Sequence, residues 1–410
     1  MARPRSSLQL MTDRRYGPYL TGNFVSNLGN WFQNVAAGIV VFRITGSNTL
    51  VGMVSVLQFL ATLLLAPVSG SIADRVDRRR MLMVAQGISA AGAVGLALWV
   101  GLQGVDDLPG VWPVLAATGV IGLGYAVGLS AMNALIPSLV EPRDLDGAIA
   151  LNSASFTVAR AVGPAVAGLV VAAAGAAFAF GINALTFVPL IVILAVIRPR
   201  EVARPSGDRS VRAGLRYVRR RPAMAWLILA TLTVGWAGDP VNTLAPAYAD
   251  LFGRSETFVG LQVAAFGFGS AVSSLAVGRV RGRFGLTRTT RLGMALLAAG
   301  LAGFAAAPNE VLVLTALVVA GVGFLLGVTT TNSNLQGRLD EEMRGRVMAL
   351  WSMAFLGSRP IAGLIDGGIA DLTSPRIGVL TAALPLLAGW WAMHRVAADD
   401  RRTPDDAPAR

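Results

Sequence analysis

Long apolar stretches alternate along the chain with short, arginine-rich connections. About twelve of the stretches approach the roughly 20 residues that a helix needs to cross a bilayer. They cover approximately 17–42, 49–73, 81–102, 111–133, 147–173, 176–197, 223–248, 256–279, 289–307, 310–331, 346–371 and 376–396. The pattern predicts an all-α membrane protein with twelve transmembrane helices. Only small residues around Gly175 part the fifth stretch from the sixth, so a tight turn is expected there.

The first stretch breaks the apolar rule. Residues 21–42, TGNFVSNLGNWFQNVAAGIVVF, carry Asn23, Asn27, Asn30, Gln33 and Asn34. At about 100° per residue, Asn23, Asn27, Asn30 and Asn34 fall on one helical face. Amides in a bundle can join neighbouring helices, at about 0.6 kcal/mol each. A stripe over three turns exceeds what such joining requires, and a wet central cavity explains it better. The seventh stretch offers Trp236, Asp239 and Asn242 amid Gly235, Gly238 and Pro240, as expected of a broken helix beside a cavity.

Two arginines also lie inside apolar stretches. Arg160 and Arg359 each sit about 20 Å from the expected cytoplasmic end of their helices, close to the middle of a hydrocarbon core of about 30 Å. Each costs at least about 2.5 kcal/mol there. They either cap broken backbone near Pro164 and Pro360, pair with buried acids, or face the cavity. Asp239 and Asp366 are the first acids to consider, with Asp366 nearer the outer surface.

The chain repeats. A shift of 199 residues lays Asn133 on Asn332, Arg160 on Arg359 and Ala150-Leu151 on Ala349-Leu350; a shift of 208 lays Gly70 on Gly278 and Arg75 on Arg283. Two pseudo-symmetric six-helix bundles are expected, at 17–197 and 223–396. A basic cytoplasmic linker at 198–222 joins them, with tails at 1–16 and 397–410. Parallel repeats of this kind form transporters with the substrate site between halves. Within the linker, Val211, Leu215 and Val218 share a face of a short surface helix. Topology alone accounts for its arginines; binding of anionic lipid headgroups is the sharper alternative.

Composition agrees. Of 410 residues, 54% are hydrophobic and 14% charged, with a mean hydropathy of +0.60. That is too little charge to cover several soluble domains. All 35 basic residues are arginine, and there is no cysteine, so thiolate metal sites and disulfides are excluded. The single histidine, His394, reads as interfacial. The net charge of +12 points to orientation rather than nucleic acid, because the arginines cluster in alternate connections. Nine lie between Arg198 and Arg221 alone. The positive-inside rule puts both termini and the linker in the cytoplasm. No removable signal peptide is evident.

The first basic connection reads GSIADRVDRRRML, residues 70–82. Gly70 lets two helices approach, and Asp74 is a carboxylate at a helix end among Arg75, Arg78 and Arg79. Such a cluster can latch one side of a gate. The stretch resembles the loop signature of the major facilitator superfamily, with Ile72 in place of leucine and Asp77 where a second glycine is usual. An aspartate tolerates the left-handed geometry of a turn there. In the second half, GRVRGRFGLTRTT (278–290) has Gly282 in place of the acid. The fifth stretch contains ARAVGPAVAG, 159–168, similar to the superfamily's antiporter signature through Gly163, Pro164 and Gly168. Together with SNLGNW and RGRVMAL (344–350), these motifs resemble the bacterial efflux branch that includes enterobactin and drug exporters, over about residues 17–396. The resemblance implies the major facilitator fold and proton antiport. Thr118 stands where many exporters of the superfamily have an arginine.

The expected protein is a bacterial cytoplasmic-membrane transporter that exports a small amphipathic molecule, such as a drug, antibiotic or siderophore, by alternating access. Protons are the expected coupling ion, lipids the surroundings and a monomer the expected state. A proton-coupled nutrient importer and a non-transporting assembly factor are the alternatives. There is no cofactor, no metal site, no nucleotide-binding loop and no catalytic constellation in the sequence.

Overall fold

Several helix ends fall where the chain has glycine, proline or a side-chain cap. In this computed structural model, residues 5–105, 107–200 and 211–402 are described, without the side chains at 63, 66–75, 133, 157, 160, 161, 165, 211, 212, 341, 401 and 402. A short helix α1 (Ser7–Met11) opens on a capping box from Ser6 and Gln9. Then come α2 (Tyr16–Thr45), α3 (Asn48–Arg75), α4 (Arg78–Gln103), α5 (Trp112–Leu139) and α6 (Leu145–Val196). Gly46, at φ 62°, closes α2 in the left-handed conformation that glycine permits. Gly175, at φ 81° and ψ 170°, breaks the 52-residue α6 where the sequence predicts a tight turn.

After the linker helix α7 (Val211–Arg219), the seventh stretch is broken, as its Gly and Pro residues predict. It runs as α8 (Pro222–Ala237), α9 (Pro240–Thr243) and α10 (Ala245–Leu251). The remaining helices are α11 (Glu256–Phe284), α12 (Leu286–Ala306), α13 (Glu310–Gln336), α14 (Arg344–Leu372), α15 (Pro375–Ala383) and α16 (Pro385–Arg402). Among the described residues there is no strand.

Nine described segments are long and apolar enough to cross a membrane. Helix α2 is not among them, because its amides lower its hydropathy. Within α3 the described residues give a shorter apolar run, Asn48–Thr62, and Val162–Val196 of α6 counts once although Gly175 divides it. Leu185, Leu275 and Leu387 project outward at 69%, 79% and 70% exposure. So much exposed aliphatic surface is tolerable only against lipid.

Helices up to α6 pack mainly on one another, as do α8 to α16. Two helix pairs bind these halves together: α3 with α14, and α6 with α11. Both ride on glycine. A Cβ on Gly52 would lie 2.2 Å from the carbonyl oxygen of Gly363, and one on Gly260 would lie 2.1 Å from that of Gly168. Backbones this close exclude any side chain, the usual device for helix association in lipid.

Each half also has a fastening at the end that carries the termini. Before α2, the Arg5 guanidinium reaches Asp13 at 2.8 Å, Asp144 at 3.4 Å and Glu141 at 3.5 Å. Burial pushes the Asp13 carboxyl up, but the backbone N–H groups of Tyr16 and Arg15 and the Arg5 guanidinium outweigh it and hold it below its ordinary range. In the second half, the Tyr217 hydroxyl donates to Asp340 at 2.7 Å and Arg221 lies 3.0 Å from the same carboxylate. Asp340 is Glu141 shifted by the 199-residue repeat. On α7, Val218 is buried whereas Leu215 is 47% exposed.

Candidate functional site

At the end that carries the termini, the halves part around a cavity of about 500 Å³. Helix α2 contributes Asn23 and Asn27, α5 contributes Tyr125 and Met132, and α6 contributes Asn152, Ser153 and Phe156. Facing them are Thr329, Asn332, Ser333 and Gln336 of α13 and Trp351, Ser352 and Phe355 of α14. The amides form a connected set. Asn23 Nδ2 donates to Asn152 Oδ1 at 3.1 Å, and Asn27 Nδ2 donates to the Asn23 carbonyl at 2.8 Å. Opposite, the Trp351 and Phe355 rings stack at 5.3 Å and 12°. Tyr125 is the one ionisable side chain among the described residues of the wall. Among the described residues the wall therefore offers hydrogen bonds and flat apolar faces, and no fixed charge.

Deeper in, two spaces of about 20 Å³ each lie on either side of Trp31 and Arg359. Each has room for about one water. The Arg359 guanidinium sits 5.9 Å from the Trp31 ring centre and 5.3 Å from that of Phe59, both on the first half. Its Nε lies 3.6 Å from Asp239 Oδ1. The Asp239 carboxylate also accepts from the hydroxyls of Thr243 at 2.7 Å and Ser55 at 3.5 Å. The break between α8 and α9 places Asp239 here, and Ser55 comes from the other half. Asp366 is 1% exposed. The Trp236 indole donates to its Oδ1 at 3.4 Å, and its Oδ2 has no hydrogen-bond partner among the described residues.

The structure thus separates the residues that the sequence singles out. Asn23 and Asn27 line the large cavity. Asn34 and Asn242 line the small spaces beside Arg359. Asn30 lines neither and donates to the Ser26 carbonyl at 3.2 Å. Asp239 and Asp366 are buried behind the Trp31–Arg359 floor. Pro164 borders one small space, Gly163 packs under Trp31, and Gly168 makes the crossing with Gly260. The Arg160 side chain lies outside the described residues, as do those of Gly70, Asp74 and Arg75 on α3. Arg78 donates to the Ala134 carbonyl at 3.0 Å, and Arg79 donates to those of Leu194 and Ala195. These two arginines fasten α4 to α5 and to the end of α6 within one half. Asp77 is not in a left-handed turn: at φ −66° it caps α4, accepting from the N–H groups of Arg79 and Arg80.

Sequence reasoning misses Asn152, Gln336, Trp351 and Phe355. Polar and aromatic residues near helix ends are common, and only the assembled bundle turns these inward. Asn332 has one signal, its place opposite Asn133 in the repeat.

Residues 15–409 match the family described as "Transmembrane secretion effector". The chain is similar to the "Enterobactin exporter EntS" of Shigella boydii serotype 4, at 26% identity over 393 residues, covering 92% of this chain and 90% of that one. In fold it resembles a bacterial homologue of the iron transporter ferroportin in its inward-facing state, with TM-score 0.72 and 17% identity over 96% of this chain and 100% of that one. It also resembles the nucleoside transporter NupG, with TM-score 0.71 and 13% identity over 93% and 98%. The chain belongs to the transmembrane secretion effectors of the major facilitator superfamily, and is a multi-pass inner-membrane transporter rather than an enzyme.

Proposed function

We propose that the protein exports a small, amphipathic, hydrogen-bonding molecule from the cytoplasm by alternating access, driven by protons. The observation that carries this reading is the cavity of about 500 Å³ between the halves, walled by amides, hydroxyls and the Trp351–Phe355 stack. A cargo with ring faces and polar groups finds partners for both there, whereas an ion finds no countercharge on the described wall. The cavity lies at the end with the termini and the basic connections, which the positive-inside rule assigns to the cytoplasm. In this reading the chain crosses the membrane twelve times, cargo enters from the cytoplasm, and the two halves rock about the Trp31–Arg359 floor.

Asp239 and Asp366 are the proposed proton carriers. Asp239 bonds both Arg359 and the opposite half through Ser55, so its protonation weakens a contact between halves. One charge moving through 100 mV contributes about 2.3 kcal/mol, enough for a useful gradient.

Enterobactin, the cargo named for the similar exporter, is the first probe. Purified protein in liposomes with a pH gradient should release protons inward as enterobactin moves outward, and Asp239→Asn should stop both. In an efflux-deficient host, lower cellular cargo that an uncoupler restores supports export. Higher cellular cargo would mean import, and binding without movement across a panel of aromatic probes would mean a non-transporting role.

A further inference from the structure

Helices α3 and α14 run antiparallel. Gly52 meets Gly363, and further along Gly367 meets Asn48. The start of α3 therefore lies against the end of α14, at the end of the bundle away from the termini. There Asp371, the penultimate residue of α14, reaches across to the other half. Its Oδ1 accepts from the Asn48 backbone N–H at 2.7 Å and from Asn48 Nδ2 at 2.9 Å. Its Oδ2 accepts from the Thr49 hydroxyl at 2.7 Å, the Ser47 hydroxyl at 2.8 Å and the Thr49 N–H at 3.0 Å.

A carboxylate in the last turn of a helix faces the negative end of its own dipole, which is unfavourable. Among the described residues Asp371 is compensated by the other half alone, through the unpaired N–H groups and positive end of α3. If the halves part at this end, Asp371 and the first turn of α3 lose their partners together.

We infer that Asp371 is the latch that holds the far side of the transporter shut, and that its engagement with α3 stabilises the state open toward the termini. The inference rests on alternating access as proposed above. Asp74 is likewise the penultimate residue of its helix, at the other end of α3. In each turnover one end closes as the other opens.

The test measures distances and needs no cargo, so failure to identify the substrate leaves it intact. The chain has no cysteine, so cysteines for spin labels can be placed singly. Leu102 and Val311, 84% and 73% exposed, lie on opposite halves near the far end. In lipid nanodiscs, Asp371→Asn should lengthen the distance between labels at these positions, with the ratio of far-open to far-closed molecules rising about 10- to 100-fold, as the loss of one or two charge-assisted hydrogen bonds implies. Thr49→Val, which removes one of the five donors, should give a smaller shift in the same direction. An unchanged distance distribution in both variants overturns the latch, even if transport is lost. If Asp371→Asn fails to fold, Thr49→Val decides alone: a shift supports the latch and none overturns it.

Discussion

The two ends of the interface between halves are built from different chemistry. Toward the termini, the halves face each other with side chains: amides, hydroxyls and stacked rings around open space. Away from the termini, they meet backbone to backbone at Gly52–Gly363 and Gly168–Gly260, with Asp371 and the Arg43–Glu256 pair at 3.1 Å across the seam. The first surface can receive many shapes, because side chains adjust. The second fits one shape only, because backbone does not. A transporter that must both admit cargo and seal needs that division, and between the two lies the charged hub of Arg359 and Asp239.

The strongest way to break the comparison is to fill the closed end. Gly260→Val would drive a side chain into the Gly168 carbonyl, and overpacking of this kind costs about 1–3 kcal/mol. At about 1.4 kcal/mol per tenfold, far-open molecules should rise roughly 5- to 150-fold, and transport should fail. A cysteine at Val263, 3% exposed in this structure, should then react with a membrane-impermeant thiol reagent much faster. Gly87→Val, where a Cβ meets open space, should change nothing. Unaltered labelling in Gly260→Val would show that the seal lies elsewhere.

A milder change sharpens the open end. Asn27→Leu removes two donated hydrogen bonds to Asn23 and a polar site from the cavity wall. Hydrogen bonds are worth about 0.5–1.5 kcal/mol each in net terms, so affinity for enterobactin should fall about 2- to 10-fold with the far end still sealed. Quenching of Trp351 fluorescence reads the affinity. An equal loss from Asn30→Leu, which lies off the cavity, would count against the cavity as the binding site.

The smallest effect belongs to the fastening of α7. Hydrogen bonds from Tyr217 and Arg221 hold the Asp340 carboxyl below its ordinary range. A lowered value in the folded state means that the stabilisation is present above the unfolded value of about 3.9 and is lost as pH falls below it. Asp340→Asn should lower the melting midpoint by at most about 2 °C at pH 7, since the pair is exposed. Variant and parent should converge once pH has fallen through the folded value. A large shift in distances at either end of the seam would make this loop part of the gate.

Much of the architecture is legible in the residues alone. The break at Gly238 and Pro240, the turn at Gly175 and the surface helix at Val211–Arg219 all follow from local chemistry. The amide stripe of α2 marks a polar interior, yet Asn30 bonds its own helix instead of the cavity, because a face about 60° wide still has edges. Asp371 carries no distinguishing signal in the sequence: an acid near a helix end resembles any interfacial acid until its neighbour is known. Asp77 is legible as a turn residue but not as a cap, which depends on the φ and ψ that the chain takes there.

The sequence by itself determined which stretches are helices, where they break, and which connections are basic. Those properties depend on residues within a few turns of one another, through periodicity, capping and the cost of charge in lipid. Only the tertiary structure decided which end of the seam is open and what closes the other. Ser47 and Asp371 are 324 residues apart, and their contact depends on how two rigid halves sit together. States differing by a few kcal/mol in that placement share the same helices, so local sequence patterns do not distinguish them.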